Sequence, residues 1–135
     1  MGSPAIPKST VASVIERDGG ICVLQISDDC LGVASCADHR ANRQSGGAKH
    51  RVLDQPSNLI AACGICNGLK EQAKGDLLAD LIRRGVRLLQ DSTHRKTALR
   101  AIVTTVIYPD GREFYLLDDY TREEVDRVRS DAEGT

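Results

Sequence analysis

Apolar positions at Val11, Val14 and Ile15 predict a short helix over "TVASVIERDGG", closed by the Gly19-Gly20 pair. The run "ICVLQI" then reads as a brief strand. "SDDCLGVASCADH" returns as a second strand or extended arm that ends at His39. "RANRQSGGAKHRVLDQPS" is loop-like, punctuated by Gly46-Gly47 and Pro56. From Asn67 a helix is predicted, with Leu69, Ala73, Leu77 and Leu81 four apart and Leu78 and Ile82 widening the apolar stripe. Gly75 is a candidate interruption of it and Gly85 a good stop. Near the end, two β-rich runs flank "PDG" and predict a hairpin. "TREEVDRVRS" is expected to form a final short helix, with Thr121 as its cap and Glu124 three residues on.

This order implies an α+β protein. The expected division is a disordered N-terminus over 1–10, a core with its following helix over 11–90, and a hairpin plus short helix over 91–135, packed on or appended to the core. A chain of 135 residues suits one domain, or a small domain with an appendage. Phe114, three tyrosines and no tryptophan leave little of the usual aromatic payload, so a metal cross-link is a sensible supplement to the core.

The formal net charge of -1 gives no global attraction to nucleic acid, but its distribution is uneven. Between Asp38 and Lys74, six Lys/Arg face three acids; from Asp110 to the end, nine acids face four arginines. A local basic face suits a phosphate backbone. There is no apolar run of spanning length and no secretory leader pattern. A cytoplasmic protein with reduced, metal-binding cysteines is therefore expected.

Cys63-x-x-Cys66 is a short knuckle able to place two thiolates on one tetrahedral ion. Cys22 and Cys30 bracket the turn-rich "VLQISDD" and supply the other pair. Cys36 lies two residues before Asp38, on the same face of an extended arm, and competes with it for direction. The expected Zn²⁺ ligands are Cys22, Cys30, Cys63 and Cys66, with exchange of Cys36 for Cys30 left open. Four thiolates leave no place for water, so this ion holds structure and performs no chemistry.

A second, working ion is suggested by the residues beside the cysteines. Asp38 offers a carboxylate oxygen to a hard divalent cation, while His39 points the other way toward a water. Asn67 follows Cys66 directly and is either a further oxygen ligand or the cap of its helix. Asn58 reads as an amide that bridges loop backbone and steadies the His39 segment. Arg43, Arg40 and Lys70 are candidate phosphate contacts, Arg being suited to the bidentate form. His50 and His94 carry no comparable signal.

Taken in order, "CVLQISDDC", "ADHRANRQSGG" and "SNLIAACGICNGLKEQ" resemble the HNH endonucleases, the zinc-containing branch of the ββα-metal (His-Me finger) nucleases. The resemblance spans Gly20 to about Gln72 and is strongest toward small HNH proteins of actinobacterial phages. It implies a two-stranded hairpin followed by a helix around Mg²⁺ or Mn²⁺, with His39 as general base, Asp38 and Asn67 as ion ligands and Asn58 ordering the loop. It also implies nicking or double-strand cleavage of DNA in a bacterial host cell, and assistance to phage terminase subunits. The alternative is a zinc-stabilised DNA-binding or terminase adaptor that does not cut.

Overall fold

The computed structural model describes residues 6–42 and 51–126. Helix α1 (Lys8–Arg17) starts inside the stretch expected to be disordered and ends in Asp18, with Gly20 N–H donating back to Ile15 O at 2.9 Å. The chain then crosses a long loop to strand β1 (Cys36–His39). Two 3-10 turns, Arg51–Asp54 and Pro56–Asn58, lead into β2 (Leu59–Ala62), which pairs antiparallel with β1 so that Cys36 faces Ala62 and His39 faces Leu59. All four residues of β2 are buried. Helix α2 (Gly64–Glu71) follows at once, then α3 (Gly75–Arg83) and α4 (His94–Val103). Strands β3 (Val106–Ile107), β4 (Glu113–Leu116) and β5 (Arg122–Glu124) form a second antiparallel sheet in that order.

Several elements differ from the sequence reading. "ICVLQI" is not a strand: Ile21 makes one isolated bridge to Val33, and Gln25 turns the chain with φ 40°. The long helix expected from Asn67 begins earlier, at Gly64, and breaks before Gly75. Helix α4 starts within polar "STHRKT", a stretch without apolar spacing, because Thr93 caps it by accepting the Lys96 N–H at 3.1 Å. The expected last helix is instead β5. Tyr120 turns with φ 66°, Thr121 bonds Asp119 rather than capping a helix, and Arg122–Glu124 pair with β4. Residues 127–135 of that expectation lie outside the described residues.

The ββα-metal expectation is corrected as well. Among the described residues, the architecture is α+β with two small antiparallel sheets and four α-helices, and its metal-capable cluster consists of sulfurs alone. Neither strand of the β1–β2 pair supplies a member of that cluster; it comes from the loops before β1 and from the start of α2.

One core joins the ends of the chain. Val14 of α1, Val23 and Leu24 of the first loop, β2, Leu81 of α3, and Tyr108, Phe114 and Leu116 of the second sheet are packed together. The second sheet therefore packs on this core. Tyr108 and Phe114 meet edge-to-face with centroids 5.1 Å apart, and the Arg122 guanidinium lies 4.0 Å from the Phe114 centroid. Beneath them Tyr108 Oη donates to Asp18 Oδ1 at 2.6 Å, while Asp18 Oδ2 accepts the Ala61 N–H at 2.9 Å. Among the described residues, no helix is long and apolar enough to cross a membrane.

Arg40 is the largest fully buried side chain, and it corrects the expectation of a phosphate contact there. Its Nε donates to Gly85 O at 2.8 Å, Nη1 to Ser57 O and Ala101 O at 2.7 and 2.9 Å, and Nη2 to Thr104 O at 2.7 Å. Ala101 and Thr104 belong to the C-terminal end of α4, where carbonyls lack helical partners and the dipole favours a cation. Burial pulls the guanidinium below its ordinary pKa, yet four carbonyl acceptors suit only the charged form. Arg40→Met should strand these acceptors and cost more than about 3 kcal/mol, read as a lower urea midpoint. A midpoint within experimental error of wild type would refute the capping role.

Candidate metal centre

The β1–β2 pair fixes where the cysteines meet. Val23 N–H donates to Ala61 O at 2.9 Å, so the Cys22 loop lies along the free edge of β2, and β2 runs directly into Cys63. Cys63 is the N-cap of α2, its Sγ accepting the Cys66 N–H at 3.4 Å. One helical turn thus presents both knuckle sulfurs on one side. Cys30 is returned to the same point, its Sγ 3.9 Å from that of Cys63.

The Sγ atoms of Cys22, Cys30, Cys63 and Cys66 all lie within 4.8 Å of one another. Zn–S bonds of about 2.3 Å in a tetrahedron put sulfurs about 3.8 Å apart, so the donor set fits an ion of that kind. All five cysteines are free thiols, and the fifth, Cys36, stays outside the cluster with its Sγ donating to Ala62 O at 3.2 Å.

Peptide N–H groups converge on the sulfurs. Leu24, Gln25 and Cys63 donate toward Cys22; Leu31 and Cys66 toward Cys63; Ile26 toward Cys66 at 3.3 Å; and Gly32 toward Cys30 at 3.4 Å. Such donors stabilise thiolate charge. Burial opposes ionisation at Cys63, but the Cys66 and Leu31 N–H groups outweigh it and hold the thiol at about 6. Cys66 is pushed up to about 12, by burial foremost and then by the neighbouring sulfurs, and burial also raises Cys22. Without a cation, Cys63 favours the thiolate while Cys22 and Cys66 resist ionisation. A divalent ion must displace those protons, so its affinity rises with pH.

The remaining site residues fall elsewhere. Asp38, expected as an open oxygen ligand, is buried and paired with Lys70 Nζ at 2.5 Å. Lys70, expected on phosphate, reaches back from α2 under β1 and also donates to His39 O. Burial raises the Asp38 pKa and lowers that of Lys70, and each offsets the other's desolvation. His39 lies on the opposite face, its Nε2 2.7 Å from Asp54 Oδ1. Asn58 grips Ala41 through both backbone groups (2.9 and 3.1 Å) and Leu53 O at 2.8 Å. The Asn67 amide points its Nδ2 at Cys36 Sγ, 3.6 Å away. Arg43 lies outside the described residues.

No family model matches the chain, and neither characterised proteins nor solved structures include a significant match. The geometry corrects the nuclease reading. The metal-capable group among the described residues contains four cysteines and no histidine. Asp38 is committed to Lys70. The HNH resemblance, the hydrolase activity with His39 as base, and the Mg²⁺ or Mn²⁺ ion between Asp38 and Asn67 fall together. What the motif reading missed was Lys70 as the partner of Asp38: one lysine 32 positions away leaves no periodic signal.

Two outcomes are expected. Lys70→Met should leave Asp38 buried without a countercharge and cost about 3–5 kcal/mol in urea unfolding, most of it recovered in the Asp38→Leu/Lys70→Met double variant. Calorimetry of Zn²⁺ binding in buffers of different ionisation enthalpy should show proton release, with affinity falling as the pH drops through neutral. Binding without proton release would contradict the protonation pattern given above.

Proposed function

We propose that the chain is a zinc-stabilised binding module whose metal does no chemistry, and that its partner is DNA. The observation that carries the first part is the closed set of four buried or half-buried sulfurs, each met by a peptide N–H. Four soft thiolates at tetrahedral spacing favour Zn²⁺ over Mg²⁺ or Mn²⁺, which prefer oxygen. With every coordination position filled by protein, the ion has nowhere to activate water.

Support for DNA is the charge distribution. The stretch from Arg40 to Leu53 contains Arg40, Arg43, Lys49 and Arg51 and no acid. Arg40 faces inward, which leaves Arg43, Lys49 and Arg51 for phosphate; their side chains lie outside the described residues. The backbone on either side of that stretch is drawn together, since Asn58 bonds both Ala41 and Leu53 and His39 meets Asp54. Binding of this kind is governed by phosphate contacts, hence weakly sequence-selective and strongly salt-dependent.

Fluorescence anisotropy of a labelled duplex, titrated with zinc-loaded protein across a salt series, tests this reading. The triple variant Arg43→Ala/Lys49→Ala/Arg51→Ala should bind more weakly and lower the log–log salt slope by about 2.7. Plasmid incubated with Mg²⁺ or Mn²⁺ should stay supercoiled. No measurable binding, or ion-dependent cutting that disappears in His39→Ala, would contradict the proposal.

A further inference from the structure

Arg84 stands at the end of α3 with no role in the metal-ligand set, yet its guanidinium ends on the first metal loop. Nη2 donates to Val23 O and to Leu24 O, both at 2.8 Å. Those two oxygens belong to particular peptide units. The carbonyl of Val23 shares its peptide plane with the N–H of Leu24, and the carbonyl of Leu24 shares its plane with the N–H of Gln25. Leu24 and Gln25 are the residues whose N–H groups face the Cys22 sulfur and favour its thiolate form. A cation therefore binds the oxygen ends of the two peptides whose hydrogen ends face a cluster thiolate. Polarising a carbonyl strengthens the donor at the other end of the same amide, as in any chain of hydrogen bonds.

The rest of the local structure holds Arg84 in this place. Its side chain is 14% exposed, and Asp80 Oδ2 lies 3.8 Å from Nη1. Its own carbonyl accepts the Ile107 N–H at 2.8 Å, tying it to β3. Gly85 follows with φ +75°, and a Cβ there would sit 1.9 Å from Thr105 O, so no other residue allows this close approach. Gln25 bears the complementary cost, a left-handed φ of 40° that presents its N–H to sulfur. The Arg84 charge is also felt directly at Cys22 and Cys66.

We propose that Arg84 is the countercharge of the four-thiolate centre, acting on Cys22 through the Val23–Leu24 and Leu24–Gln25 peptides to lower the sulfur's electron density and hold the ion. The idea rests on the zinc reading given above and makes Arg84 a positioning residue. A dication on four thiolates carries net charge of about -2, so a neighbouring cation lowers the cost of burying it.

Co²⁺-substituted protein gives a readout that simple bracing does not move. In Arg84→Gln, which keeps one amide donor but loses the charge, the thiolate-to-cobalt charge-transfer band should shift to lower energy, because the sulfur becomes easier to oxidise. Arg84→Lys, which keeps the charge, should restore it. Zinc release to an excess of a colorimetric chelator should be about tenfold faster in the glutamine variant, the scale on which outer hydrogen-bond partners act on metal sites, and near wild type in the lysine variant. An unmoved band in Arg84→Gln, or equal shifts and equal release rates in both variants, overturns the proposal and leaves the zinc reading intact. A wild-type chain that takes up neither Co²⁺ nor Zn²⁺ overturns both.

Discussion

The closing of four sulfurs around one point is the constraint on which the fold depends. Cys22 and Cys30 come from a loop with hardly any regular structure, and Cys63 and Cys66 from the first turn of α2. The loop has little regular structure of its own to keep it folded: Gln25 is left-handed, the Ile21–Val33 bridge is isolated, and Leu31 and Val33 are more than half exposed. What holds it are sulfur contacts at one end, the burial of Val23 and Leu24, and the bonds of their backbone to Ala61 and Arg84. Ligand formation thus closes a loop whose entropy the small core would otherwise have to offset alone.

Around that centre, cations do internal work. Arg17 ties Asp18 to the backbone of Pro56 and Leu59, Arg40 caps α4, Lys70 neutralises Asp38, and Arg84 reaches the metal loop. In a chain with one Phe, three Tyr and no Trp, long basic side chains supply buried volume as well as hydrogen-bond donors. This is why the positive balance between Asp38 and Lys74 overstates the charge available to a phosphate backbone: Arg40 and Lys70 are both inside.

Patterns carried by neighbouring residues were legible in the sequence, and patterns carried by distant partners were not. The apolar spacing of α1 and the "PDG" hairpin depend on local preferences, and both elements are present. The sulfur pairs stood out because cysteine is chemically distinctive. The roles of Asp38 and His39 are not legible locally, because an ionisable pair looks the same whether it faces solvent, an ion or a lysine. Burial decides between these, and burial is set by the whole fold. "TREEVDRVRS" failed for a related reason: its capping pattern favours a helix, but pairing with β4 and the Arg122 contact with Phe114 favour a strand over Arg122–Glu124. The α4 start has no apolar signature, since "STHRKT" is polar throughout, although Thr93 is a readable cap.

The most direct measurement is metal content followed by removal, with two-dimensional amide NMR as the readout. Purified protein should hold one zinc per chain, and stripping it with a strong chelator should collapse the dispersed amide signals of Cys22–Gly32, β1, β2 and α2, with recovery on adding Zn²⁺ back. A metal-free chain whose spectrum is unchanged by either step would contradict the claim that four sulfurs and an ion organise this fold.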